Sequence, residues 1–246
     1  MVKKYYLSRA RMLEFLANLT SAPVEEPLTL YIPPQLSPEK LTNIVQRIPA
    51  APEIAKEIYD ICTASPNGAV MLWGGEQKKL MIPPFPIHDS VMLAGYETEH
   101  LKSLLEQEHI IGVVLIRLGS YGIGVCQGDK LISSKVGTGL VHARHRQGGS
   151  SSHRFERHRD KQMETFFNRV CGHVHEQLEP YVKSMDYIVY GGAWETVQLF
   201  IKYCPMLAKL DKPILPTLSD TPEPRQAVLE KAAGRIWAST VYEWGE

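Results

Sequence analysis

Apolar residues recur along this chain with periods that change from one stretch to the next, and each period predicts an element. In Arg11–Leu19, Met12, Leu13, Phe15, Leu16 and Leu19 fall at helical spacing. Leu28-Thr29-Leu30-Tyr31-Ile32 alternates as a strand does and stops at Pro33-Pro34. Ser37-Pro38-Glu39 opens a helix: a capping hydroxyl precedes a proline whose missing N–H would have had no helical partner anyway. Glu53–Thr63 predicts another helix, closed by Ser65-Pro66-Asn67-Gly68. Val70–Trp73 and Leu80–Ile82 flank Gly74-Gly75 as a hairpin would. Pro83-Pro84-Phe85-Pro86 then predicts a rigid connector, with a subdomain edge between residues 83 and 108.

The second half is more regular. Ile110–Ile116 is a continuous apolar run, as a buried strand requires, and Tyr121–Cys126 and Lys130–Ser134 complete a three-strand meander. A polar stretch rich in glycine and serine follows from Gly137 to Ser152. Phe155, Met163, Phe166, Phe167, Val170, Val174 and Leu178 then mark the apolar face of a long helix ending near Pro180. Asp186–Tyr190 predicts a strand that meets Gly191-Gly192, and Ala193–Tyr203 a helix. Pro213–Leu218 predicts a strand and Pro224–Ala233 a final helix, with Gly234 just past it. Strands alternating with helices after a meander imply an α/β fold, a mixed sheet covered by helices. The expected division is an N-terminal α/β segment over 1–98 and a second domain over 99–246, with the glycine-rich loop at 137–152.

Composition narrows the class. At 44% hydrophobic and 22% charged residues the chain is an ordinary globular protein. No apolar run approaches the ~18 residues that suggest a membrane span, and no signal-peptide pattern follows the basic N-terminus. A cytoplasmic protein is expected. Cys62, Cys126, Cys171 and Cys204 are widely spaced among apolar neighbours, so four buried thiols are expected rather than a disulfide framework. With 27 basic and 27 acidic residues the formal net charge is zero, which argues against a histone-like binder of polyanions.

That average hides one segregated window, residues 142–161. It reads His142-Ala143-Arg144-His145-Arg146-Gln147-Gly148-Gly149-Ser150-Ser151-Ser152-His153-Arg154-Phe155-Glu156-Arg157-His158-Arg159-Asp160-Lys161. Cations flank a Gly-Gly-Ser core, as in a flexible tip with phosphate-holding shoulders. A basic run is most often only a solvated face. Here, however, Arg154, Arg157 and Arg159 sit where a helix begins and its dipole disfavours cations, and local rules tend to be broken where function requires it.

The window resembles the catalytic middle domain of archaeal and eukaryotic class-one peptide-chain release factors. Those proteins carry a Gly-Gly-Gln loop and then Ser-x-x-Arg-Phe-x-Arg-x-Arg at the start of a long helix. This chain has Gly148-Gly149-Ser150, then Ser151, Arg154, Phe155, Arg157 and Arg159 in the same register. Tyr187-Ile188-Val189-Tyr190-Gly191-Gly192 is similar to the family's strand and glycine turn, so the resemblance covers about residues 105–246. It is closest to the bacterial release-factor-like, VLRF-type peptidyl-tRNA hydrolases of ribosome quality control. The resemblance implies a release-factor middle-domain fold, a variant of the RNase H-like sheet. It implies ester hydrolysis of peptidyl-tRNA assisted by the large ribosomal subunit, with no cofactor and no membrane partner. No Asn-Ile-Lys-Ser codon-reading motif occurs and no third, GTPase-recruiting domain is evident, so stop-codon reading is not expected.

By that resemblance Gly148, Gly149, Ser150 and Gln147 are the candidate catalytic residues, and Arg144, Arg146, Arg154, Arg157 and Arg159 the candidate RNA contacts. One departure matters: the family glutamine aligns with Ser150. Its backbone N–H, the charge-stabilising element, is retained, and such a donor is worth ~3–4 kcal/mol in other enzymes. Its water-placing amide is lost unless Gln147, Ser151 or a hydroxyl-held water replaces it. Two readings therefore stand, a hydrolase and a module that occupies the ribosomal A site without cleavage. His173 and His175 stand two apart on the long helix and point to different faces, so no metal is expected there.

Overall fold

The computed structural model describes residues 2–19, 27–75, 77–141 and 152–245. In chain order the elements are β1 (Val2–Leu7), α1 (Arg9–Ala17), β2 (Leu28–Ile32), α2 (Pro38–Val45), α3 (Pro52–Ala64), β3 (Ala69–Gly74), β4 (Gln77–Ile82), β5 (Val91–Ala94) and α4 (Glu99–Glu106). There follow β6 (Ile110–Arg117), β7 (Ser120–Gln127), β8 (Lys130–Thr138), α5 (Ser152–Leu178), β9 (Tyr187–Gly191), α6 (Trp194–Tyr203), α7 (Pro205–Ala208), α8 (Gln226–Ile236) and β10 (Ser239–Trp244). They form two compact units, residues 1–107 with 235–246 and residues 108–234.

The first unit is a six-stranded antiparallel sheet in the order β1-β10-β4-β3-β2-β5. Successive side chains of a strand point to opposite faces, and both faces here are covered, so β3 reads Ala-Val-Met-Leu-Trp without a polar break. Leu30, Ile32, Met71, Trp73 and Leu80 pack on one side with Leu41 and Val45 of α2 and Ile58 of α3. Tyr31, Val70, Leu72, Met81 and Val241 pack on the other with Met12 and Leu16 of α1 and Leu101 and Leu105 of α4. The Ser37 hydroxyl accepts from the Lys40 N–H and caps α2 as its sequence requires. The proline run is no connector. Asn67 donates its side-chain amide to the Pro83 and Pro84 carbonyls at 3.0 and 2.8 Å, and Phe85 is fully buried, edge-on to Trp237.

The sequence boundary at residue 98 therefore differs from the structural one. Leu101 and Leu105, one turn apart on α4, bury in the first unit, and β10 pairs with both β1 and β4. Residues 99–107 and 235–246 thus belong with the N-terminal strands.

The second unit carries a mixed sheet in the order β8-β7-β6-β9, with β6 and β9 parallel and the other pairs antiparallel. Val114, Ile116, Tyr121, Ile123 and Val125 face Phe166, Phe167, Val170, Val174 and Leu178 of α5 and Val197 and Phe200 of α6. The opposite face of β7 is nearly bare because Gly122 and Gly124 bring it close to α8. A Cβ at Gly124 would stand 2.7 Å from Leu131 Cδ1 and 3.2 Å from Leu229 Cδ2. Residues 213–218 form two parallel bridges to β9 rather than the expected continuous strand, since Pro213 and Pro216 offer no N–H. Helix α8 runs through Gly234 instead of stopping before it.

Cysteine chemistry also departs from expectation. Cys171 of α5 and Cys204 after α6 form a disulfide with Cα atoms 5.2 Å apart, joining residues 33 apart in sequence. Only Cys62 and Cys126 are free thiols; both are buried, and burial pushes each up to about 12. Among the described residues no helix is long and apolar enough to cross a membrane.

Candidate loop and nucleic-acid interface

Strand β8 leaves the sheet at Thr138, and the geometry of that exit is tight. Gly137 and Thr138, placed in the loop by the sequence pattern, still pair with Tyr121 and Ser120 of β7. The next residue, Gly139, donates its N–H to the Gly119 carbonyl at 2.8 Å. Arg169 of α5 donates to the Thr138 carbonyl at 2.6 Å. A Cβ on Gly139 would stand 2.5 Å from the Arg169 guanidinium and 2.6 Å from the Phe166 ring, so the chain crosses α5 where no side chain fits. The departing strand is thereby fastened to the middle of α5. The chain returns at Ser152, about 26 Å nearer the start of that helix at 1.5 Å per residue.

Gln147, Gly148, Gly149, Ser150, Arg144 and Arg146 lie outside the described residues. Arg154, Arg157 and Arg159 are described, on the first turns of α5. Arg154 and Arg157 are exposed, and Arg159 is half-buried. The first turn contains no acid, so nothing in that turn offsets cations at the positive end of the helix dipole. Helical spacing puts Phe155 on the apolar face, yet it is 57% exposed. It precedes the part of α5 that lies against the sheet, where packing begins at the half-buried Met163 and is complete at Phe166.

Sequence reasoning missed Lys161, Thr165 and Arg169, which line a groove against Gly139 and Leu140 just beyond the end of β8. Arg169 carried little signal, because it stands three residues after Phe166 and so borders the apolar face of the helix. Each histidine of the pair meets a carboxylate on its own helix or just beyond it. His173 stacks on Tyr121 with ring centroids 5.5 Å apart and meets Glu176 at 2.9 Å. That hydrogen bond holds the Glu176 carboxyl below its ordinary range. His175 lies 3.7 Å from Glu179. Among the described residues no cluster of His, Cys, Asp or Glu has the arrangement of a metal site.

Strand β8, the basic stretch after it and the long helix α5 all lie within the part of the chain that a known family matches. The model of the actinobacterial and chloroflexi VLRF1 release factor family matches residues 109–242, more than half of the chain. The chain is 26% identical over 238 residues to peptide chain release factor subunit 1 of Aeropyrum pernix, covering 86% of this chain and 64% of that protein. It is 26% identical over 220 residues to the Archaeoglobus fulgidus protein of the same name, covering 77% and 53%. It thus spans less than two-thirds of either relative. An archaeal translation termination factor of solved structure aligns over 94% of this chain and 73% of its own, with 20% identity and a TM-score of 0.38. The family match spans the meander, residues 139–151 and the whole of α5, and the chain belongs to the VLRF1 release factor family of actinobacteria and chloroflexi.

Proposed function

We propose that this protein hydrolyses the ester joining nascent peptide to tRNA on stalled ribosomes or free large subunits, without reading a stop codon. The observation that carries this reading is the family match across 109–242, which includes Gly148-Gly149 and the basic start of α5. In the proposed chemistry the loop enters the peptidyl-transferase centre. Gly148 and Gly149 supply backbone freedom, and the N–H of Ser150 donates to the oxyanion that forms as water attacks the ester carbonyl. Gln147 is the candidate for placing that water. Arg144, Arg146, Arg154, Arg157 and Arg159 hold phosphates of ribosomal RNA or tRNA.

Ser150 in place of the family glutamine favours a second reading, a module that occupies the A site without cleaving. A release assay on purified ribosomal complexes carrying labelled peptidyl-tRNA separates the two. The expected result is measurable release by the wild type and little loss in Ser150→Ala. Gly149→Val should abolish release, Ser150→Gln should raise it, and Gln147→Ala should be the damaging side-chain change. Wild-type release equal to buffer, with ribosome binding intact, would reject hydrolysis.

A further inference from the structure

The exposed half of α5 separates its charges into two strips. At about 100° per residue, Arg154, Arg157, His158, Lys161, Thr165 and Arg169 share one arc of the helix, and all six are exposed. Glu156, Asp160 and Glu164, also exposed, fall together on the adjoining flank. Phe167, Val170 and Val174 bury on the side opposite the cations, and Phe166 buries beside Arg169. A face that merely solvates a helix tends to interleave its signs as i,i+4 pairs. Asp160 and Glu164 stand three residues after Arg157 and Lys161 and border the strip, but the strip itself stays acid-free for about 22 Å between Arg154 and Arg169.

The line also has a shaped lower end. Lys161, Thr165 and Arg169 face Gly139 and Leu140 across the groove just beyond the end of β8, and Leu140 is 72% exposed. Arg169 is held by the Thr138 carbonyl, so one wall of the groove is fixed in place. A helix that carries cations on its first turns and again at Arg169 presents a row of positive charge. Its complement is a row of negative charge.

We propose that this arc is a track for the sugar-phosphate backbone of an RNA stem, with Lys161 at its centre and Leu140 at its lower end. The proposal rests on the ribosome-directed reading above and extends it to a surface that does not include the loop. Charge complementarity selects the partner: phosphate ladders are the long, regular polyanions that a ribosome-directed protein meets, and backbone contacts of this kind position a protein without reading sequence.

The probe is a fluorescent RNA hairpin with a twelve-base-pair stem, titrated with full-length protein at several salt concentrations. Lys161→Glu should weaken binding about tenfold near 0.1 M salt and lower the log–log salt slope by roughly one or two. Lys161→Arg should bind as the wild type does. Lys202→Glu makes the same charge change at an exposed site on α6 and should cost less than twofold. Equal losses from Lys161→Glu and Lys202→Glu would overturn the track in favour of a net-charge effect. An equal Lys161→Glu loss for polyglutamate and the hairpin would overturn it in favour of a surface for acidic polypeptide. Intact hairpin binding without peptide release would reject the hydrolytic reading and leave the track standing.

Discussion

Gly192 and Gly172 show how far surroundings decide what a residue is worth. Gly192 has φ +121°, and a Cβ there would run into the Ile116 carbonyl oxygen. The turn after β9 therefore admits no side chain, and strain and steric conflict act together. Gly172 sits on the exposed side of α5, and a methyl group there would meet nothing within 4 Å, so alanine would only restrict the unfolded chain and favour the helix. Gly192→Ala should lower the unfolding free energy by about 2 kcal/mol or more, and Gly172→Ala should raise it by about 0.5–1 kcal/mol. Urea denaturation at neutral pH measures both. Equal midpoints for the two variants would contradict the backbone assignment at Gly192.

Elements repeat the lesson at larger scale. Helix α5 was legible from its apolar spacing, and the expected end near Pro180 agrees with a helix closing at Leu178. The same spacing overreached at Phe155, because a sequence pattern does not say where the sheet beneath a helix stops. Strands β1 and β10 were not legible. Val-Lys-Lys-Tyr-Tyr-Leu and Ser-Thr-Val-Tyr-Glu-Trp alternate only weakly, and pairing with each other fixes them more than their own composition does. The Cys171–Cys204 bond was equally hidden, since no spacing rule links residues 33 apart until α5 and α6 pack together. Closing that loop should stabilise the protein by roughly 3–4 kcal/mol in the chain-entropy model. Cys204→Ser, or reductant added to the wild type, should lower the urea midpoint accordingly. A thiol count should give two reactive groups, and only after denaturation, because Cys62 and Cys126 are buried and protonated at neutral pH. Four groups under those conditions would show that the bond is absent. The loop residues that define the candidate site were legible only through resemblance: glycine, serine and arginine alone describe any solvated turn.

At the scale of the whole molecule, the chain's two-unit division was half visible. The second unit occupies one continuous stretch, 108–234, and its strands and helices follow one another as local patterns. The first unit does not, because β10 lies between β1 and β4, with Val2 opposite Trp244. No window of sequence contains both partners. This interleaving bears on the order in which structure is acquired. The β6–β7 hairpin closes over a few residues, whereas the β1–β10 ladder must close over nearly the full chain, and such non-local pairings form slowly. Amides of β6 and β7 should gain protection earlier in refolding than those of β1 and β10, as pulse-labelled hydrogen exchange can follow; simultaneous protection would refute the sequence of events. On a translating ribosome the delay is set by synthesis itself. Residues 2–7 and the free edge of β4 must wait for residues 239–244 to emerge, leaving two open strand edges exposed to mispairing in the meantime.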